Sequence, residues 1–213
     1  MKSYTHVFWD WNGTLLNDVE WVMSAMNKLL DSHGIDKIRD VSEHRHHFNF
    51  PIIEYYRNLG FDFEKEPFEE LAQKFTALYL AEAPDYCHLY DNTLTVLDTI
   101  KRKNIKQVVL SALSKDILVS QINDLNITDY FDDILGLTDI YATSKIDVGL
   151  DYVTRNRIIN AVLIGDSEHD YEVATELGIE CLLIARGHVG KDRLLECGVP
   201  VLDEIAQVVD YIN

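Results

Sequence analysis

Four short apolar runs separated by amphipathic stretches constrain this fold most. Thr5 to Trp9, Lys106 to Leu110, Ala161 to Ile164 and Cys181 to Ile184 read as buried strands. The first three stop at polar residues: Asp10, Ser111, and Asp166 after Gly165. Between them the spacing is helical, from about Asn92 to Lys103, then through Ile117, Leu118, Ile122 and Leu125 behind Ser114 as a possible cap, then up to Leu177. Strands apolar on both faces and separated by helices predict an α/β fold, a doubly wound, mostly parallel, Rossmann-like sheet with helices on both sides.

One block departs from this alternation. Val19, Val22, Met23, Met26, Leu29 and Leu30 recur at helical spacing, with Gly34 as a stop. Pro51 then sits where the first position of a second helix should be, Gly60 ends that helix, and a third follows Pro67. The expected division is a core of residues 1–16 and 87–213 and an inserted all-helical cap of residues 17–86.

A chain of 213 residues can bury a core and carry such an insert. Its 19 Lys+Arg against 36 Asp+Glu leave a net charge of -17, which argues against a nucleic-acid backbone or an anionic membrane surface as partner. A small anionic substrate stays compatible, because it feels local donors more than a salt-screened surface. Cys87, Cys181 and Cys197 are scattered without a C-x-x-C pair, as expected in a reducing compartment. The first residues lack the apolar run of a signal peptide, and no segment approaches the ~18 residues of a membrane span. The expected location is cytoplasmic, as a monomer or homodimer.

In a parallel sheet the carboxyl ends of the strands lie on one edge, where ligands bind. Asp10 and Asp166, with Asp170 a turn later, offer hard oxygen ligands suited to Mg²⁺, which uses one or two carboxylates and leaves sites for substrate phosphate. Thr14 and Ser111 supply hydroxyls and Lys145 a cation, with Lys115 a rival for that role. This set suits phosphoryl transfer through an aspartyl-phosphate. His44, His46 and His47 read as a solvated face of the insert rather than a zinc site. Phe48, Phe50, Tyr55 and Tyr56 read as its packing, with one or two members reaching substrate.

Asp10-Trp11-Asn12-Gly13-Thr14, the strand-final Ser111, Lys145 in Ala-Thr-Ser-Lys, and Gly165 to Asp170 stand in order. Together they resemble the four motifs of the haloacid dehalogenase superfamily. The insert, with His47 to Pro51, Glu54 to Tyr56 and Leu59-Gly60, is similar to the cap of the phosphoglycolate-phosphatase-like branch. The resemblance implies Asp10 as nucleophile, Asp166 as metal ligand with Asp170 supporting it, and the Asn12 backbone carbonyl as a further ligand. It implies Ser111 and Lys145 on the phosphoryl oxygens. The implied activity is a Mg²⁺-dependent phosphatase acting on a small phosphorylated metabolite, phosphoglycolate first. Arg45 and Phe48 of the cap are expected to contact the leaving group.

Asn12 departs from the pattern, since the family's phosphatases carry an aspartic acid there to protonate the leaving alkoxide. An amide does not exchange protons near neutral pH, and general acid-base catalysis is worth ~10²–10⁴ in rate. The chain is then a slow phosphatase, recruits a group such as His169, or acts on a leaving group that needs no proton. Deamidation of Asn12-Gly13 would restore the acid. The alternatives are a phosphonate hydrolase or phosphomutase of the same fold, or a non-catalytic binder of phosphoryl ligands.

Overall fold

The computed structural model describes residues 4–86, 88–137 and 144–212. Strand β1 (His6–Trp9) lies in the middle of the sheet because its side chains are apolar on both faces. It pairs with β2 (Lys106–Ser114) on one side and β4 (Ala161–Gly165) on the other. Beyond them lie β3 (Asp133–Leu137) at one edge and β5 (Glu180–Ile184) and β6 (Val201–Leu202) at the other. The order is β3-β2-β1-β4-β5-β6, and every pairing is parallel. Trp9 stands opposite both Val109 and Ile164, so Asp10, Ser111 and Asp166 emerge side by side at the carboxyl edge.

Alternate strand residues feed two apolar layers. Val7, Trp9, Val109 and Ile164 pack with α5 (Thr93–Arg102), α6 (Lys115–Asp124) and α10 (Val208–Tyr211). Phe8, Val108, Leu110 and Leu163 pack with α7 (Lys145–Asn156), α8 (Glu168–Leu177) and α9 (Lys191–Glu196). The helical block comprises α1 (Val19–Ser32), α2 (Val41–His47), α3 (Ile52–Asn58) and α4 (Phe68–Tyr86). Met26, Leu29 and Leu30 of α1 join Tyr55, Tyr56 and Leu71 in its core. Among the described residues no helix is long and apolar enough to cross a membrane.

Several boundaries differ from the sequence reading. β2 runs on to Ser114 with a register shift after Leu110, so Ser111 lies inside the strand rather than at its end. Ser114 does precede α6, but its hydroxyl makes no capping bond. Pro51 precedes α3 rather than opening it. Helix α2 carries one apolar residue in seven and has no periodic signal; Asp40 caps it, accepting from the Glu43 N–H at 2.9 Å. The short strands β3 and β6 also lacked a readable run. Cys181 and Cys197 are free thiols, and Cys87 lies outside the described residues.

Candidate active site

The turn after β1 sets the floor of the site. Gly13 adopts φ +73°, and a Cβ there would come within 2.5 Å of Asp166 Oδ2, so only glycine fits both the conformation and the space. The Trp11 indole N–H donates to Gln121 Oε1 at 2.8 Å and pins the turn to α6. Thr14 Oγ1 lies 3.3 Å from Asp10 Oδ2 and 3.2 Å from Asp166 Oδ1, bridging the two carboxylates.

Two helix starts aim the remaining groups. Ser144 and Asp147 form a capping box that opens α7, and Lys145 at its first position turns inward, buried, with Nζ 2.6 Å from Asp10 Oδ1 and 2.5 Å from Asp170 Oδ1. Ser167 and Asp170 form the box that opens α8, where Asp170 Oδ2 accepts from the Ser167 hydroxyl at 2.6 Å and the Asp166 N–H at 3.1 Å. Lys115, the rival cation, is exposed on α6.

Two carboxylates, Asp10 and Asp170, thus share one ammonium, with the Asp166 carboxylate close by. Burial drives Asp10 up to about 8; Lys145 opposes this, while Asp170 and Asp166 add to it. Burial likewise raises Asp166 to about 6, against the pull of His188. Asp170 falls below its ordinary range, because Lys145 and the Ser167 hydroxyl outweigh its burial. Burial alone would lower Lys145, yet Asp10 and Asp170 hold it above its usual value. Oxygen atoms of Asp10, Asp166 and Asp170 lie within 4.8 Å of one another. A cluster of hard oxygens with surplus negative charge fits a small divalent cation such as Mg²⁺.

Asn12 is held by groups that the sequence did not single out. Its Nδ2 donates to Asp18 Oδ2 at 2.7 Å and to the Tyr79 hydroxyl at 3.0 Å. Asp18, fully buried, also accepts from the Gly13 N–H at 2.9 Å and pairs with His188 Nε2 at 3.2 Å. His188 Nδ1 meets His44 Nε2 at 3.0 Å, and His44 Nδ1 meets the Tyr55 hydroxyl at 2.8 Å. This chain crosses from the β1 turn into the helical block. The Gly13 nitrogen that deamidation would need as nucleophile already donates to Asp18 and to the Leu16 carbonyl.

The expectation of a solvated histidine face needs correction: His46 is exposed, but His44 is completely buried. Burial, reinforced by His188, keeps the His44 imidazole neutral down to about 2. A folded value depressed below the ordinary one contributes stability above pH ~6.5 that is lost as pH falls, by up to ~1.4 kcal/mol per pH unit. His188, which is raised, has the opposite slope, largest above pH ~6.5 and fading below it, and it is present in both the parent and the variant. Denaturant unfolding of His44→Asn beside the parent, across about pH 6.5 to 5, should therefore show the parent losing stability faster. Parallel pH dependences would show that His44 titrates normally.

A cavity of about 690 Å³ opens over these groups and runs beneath the helical block. Asp10, Asn12, Ser111, Lys145, Asp166, Asp170, His169 and Phe48 line it, with Phe50, Tyr55, Tyr56 and Phe75. Arg45 is not among the lining residues; its guanidinium donates to the Gly187 and Arg186 carbonyls at 2.9 and 2.7 Å, tying α2 to the loop after β5. The substrate contact expected of Arg45 is therefore replaced by a structural tie. Asp18, His188 and Tyr79 also line the cavity, and no local motif marks them.

The family model for haloacid dehalogenase-like hydrolases matches residues 7–184. A haloacid dehalogenase-like family hydrolase from Streptococcus pneumoniae has a similar structure, with a TM-score of 0.87 at 21% identity and 100% of each chain covered. Protein tyrosine kinase A from Mycobacterium tuberculosis gives 0.84 at 21% identity, and a predicted phosphoglycolate phosphatase from Haemophilus somnus 0.83 at 14%, again with 100% of both chains covered. At these identities the likeness concerns the fold, which alone does not choose a reaction. No curated protein matches the chain in sequence. The matched span, the parallel sheet and the ordered Asp10, Ser111, Lys145 and Asp166 agree, and the chain belongs to the haloacid dehalogenase-like hydrolases.

Proposed function

We propose that the protein is a Mg²⁺-dependent phosphatase that hydrolyses a small phosphate monoester through an aspartyl-phosphate on Asp10. The observation that carries this reading is the buried Asp10 at the end of β1, with Lys145 Nζ at 2.6 Å and two further carboxylates within reach. Asp10, Asp166 and the Asn12 backbone carbonyl would hold the ion, with Asp170 supporting it. When bound, Mg²⁺ supplies positive charge against the phosphoryl oxygens and the surplus carboxylates. Lys145 and Ser111 hold the phosphoryl group, and Lys145 offsets the repulsion between Asp10 and the substrate dianion. Thr14, expected to bind substrate as well, does not line the cavity, and its hydroxyl instead positions the Asp10 and Asp166 carboxylates. The Asp10 carboxylate then attacks phosphorus in line, and water later releases phosphate. Residues 17–86 serve as the cap over a core of residues 1–16 and 87–213, excluding water from the cavity and contacting the leaving group.

Phosphonate hydrolysis through a cap lysine finds no support, since none of the described residues lining the cavity is a lysine of the helical block. A phosphomutase or a mere binder of phosphoryl ligands would fail the following test. p-Nitrophenyl phosphate should be hydrolysed with Mg²⁺ and not in excess chelator, with full recovery on adding the metal back. Asp166→Ala should lower activity by ~10² or more and raise the Mg²⁺ concentration for half-maximal rate, since removing metal ligands costs both affinity and activity. Undiminished turnover in chelator would refute the metal assignment.

A further inference from the structure

The phosphatase reading leaves the leaving group open, and the cavity wall bears on it. The helical block contributes Phe48, Phe50, Tyr55, Tyr56, Phe75 and Met26 to the cavity wall, with Glu69, Gln73 and Thr76 as polar members. At about 690 Å³ the cavity falls in the range of sites for drug-sized ligands, far more than a two-carbon acid fills. A carboxylate on the leaving group would need a cation of its own. Lys145 is the one Lys or Arg among the described lining residues, and it is already shared by Asp10 and Asp170. His188 is paired with Asp18 at 3.2 Å, and His169 lies flat on Phe50 with ring centroids 4.6 Å apart. Glu69 on the wall adds negative charge; of the undescribed residues, 87, 138–143 and 213 contain neither Lys nor Arg, and Lys2 precedes the amino end of β1.

An independent observation concerns Asn12. At the position next to the nucleophile that could serve a departing oxygen stands an amide, its Nδ2 committed to Asp18 and Tyr79. A leaving group that departs without a proton must form a stable anion. A phenol ionises near pH ~10, as tyrosine does, whereas an alcohol resembles water at ~15.7.

We infer that the substrate is a small aryl phosphate, its uncharged aromatic body packed against the rings of the cap wall and its phosphoryl group on Asp10. The Asp10 oxygen–phosphorus bond forms as the phosphorus–aryl oxygen bond breaks, and the electron pair leaves on the aryloxide, which takes its proton from bulk water. Water then attacks phosphorus, the Asp10 oxygen–phosphorus bond breaks, and the carboxylate and inorganic phosphate are regenerated.

The test compares kcat/KM with Mg²⁺ for 1-naphthyl phosphate, phenyl phosphate, 2-phosphoglycolate and glycerol phosphate. Naphthyl phosphate should exceed both alkyl esters by ~10² or more, the range spanned by a missing general acid. It should exceed phenyl phosphate mainly through a lower KM, because their leaving groups are similar and only the buried aromatic area differs. Thr76→Lys, which sets an ammonium on the α4 wall, should shift the preference towards 2-phosphoglycolate by tenfold or more. An alkyl ester within tenfold of naphthyl phosphate would overturn this inference while leaving the phosphatase reading intact. Equal KM for the two aryl esters, or an unchanged preference in a folded Thr76→Lys protein, would remove the wall from it. No turnover of any of the four esters would overturn both readings.

Discussion

Asp10→Asn is expected to abolish turnover, by ~10⁴-fold or more, as removal of a nucleophile does in other covalent mechanisms. An amide has nearly the same shape as the carboxylate, so the fold should persist. Stability should even hold or rise, because one of three clustered buried carboxylates is gone while Lys145 keeps its 2.5 Å contact to Asp170. Rate measurement paired with thermal unfolding separates the two effects. Activity within tenfold of the parent would exclude attack by Asp10, whereas an unfolded variant would show that the carboxylate is needed for the fold itself.

Asn12→Asp should have the second-largest effect, and of opposite sign. The new carboxyl would face Asp18, which lies 2.7 Å from Asn12 Nδ2. Two carboxylates at that distance share a proton, which raises the affinity of the pair for it and makes it a competent acid at neutral pH. Alkyl phosphates should accelerate by ~10²–10⁴ and aryl phosphates much less, since an aryloxide departs unaided. Should dephosphorylation limit the parent, a burst of aryl alcohol should precede its steady state and disappear in the variant, where the same group can activate water. Peptide mass spectrometry across residues 10–14 must show the parent still amidated. If the ratio of alkyl to aryl rates does not move, Asn12 is not the missing acid.

The features legible in the sequence were those carried by short-range pattern. The four runs are near-continuously apolar, as strands buried on both faces are, the helices between them repeat with a period of 3.6, and a parallel sheet then brings Asp10, Ser111 and Asp166 together without further information. Lys145 and Asp170 were legible only through their place in the ordered motifs, and the capping boxes that aim them, Ser144 with Asp147 and Ser167 with Asp170, emerged with the structure. What was hidden depends on contacts that only the fold creates. Asp18 and His188 are 170 positions apart and meet beside the nucleophile turn. Helix α2 has no apolar stripe, and its stability comes from the Asp40 cap, the burial of His44 and the tie of Arg45 to the loop after β5. The same polar composition made His44 look solvated, while the substrate contact expected of Arg45 came with the resemblance of the insert to a cap.

The central claim is that Asp10 carries the phosphoryl group, and trapping that state tests it most directly. The protein should be mixed with p-nitrophenyl phosphate and Mg²⁺, quenched in acid within the first turnover, digested and analysed by mass spectrometry. One phosphoryl group should appear on Asp10 in the peptide spanning residues 10–14, should be removed by hydroxylamine as an acyl phosphate is, and should be missing from Asp10→Asn. Turnover by the parent with no such adduct under any quench time, or an adduct on another residue, would contradict the account.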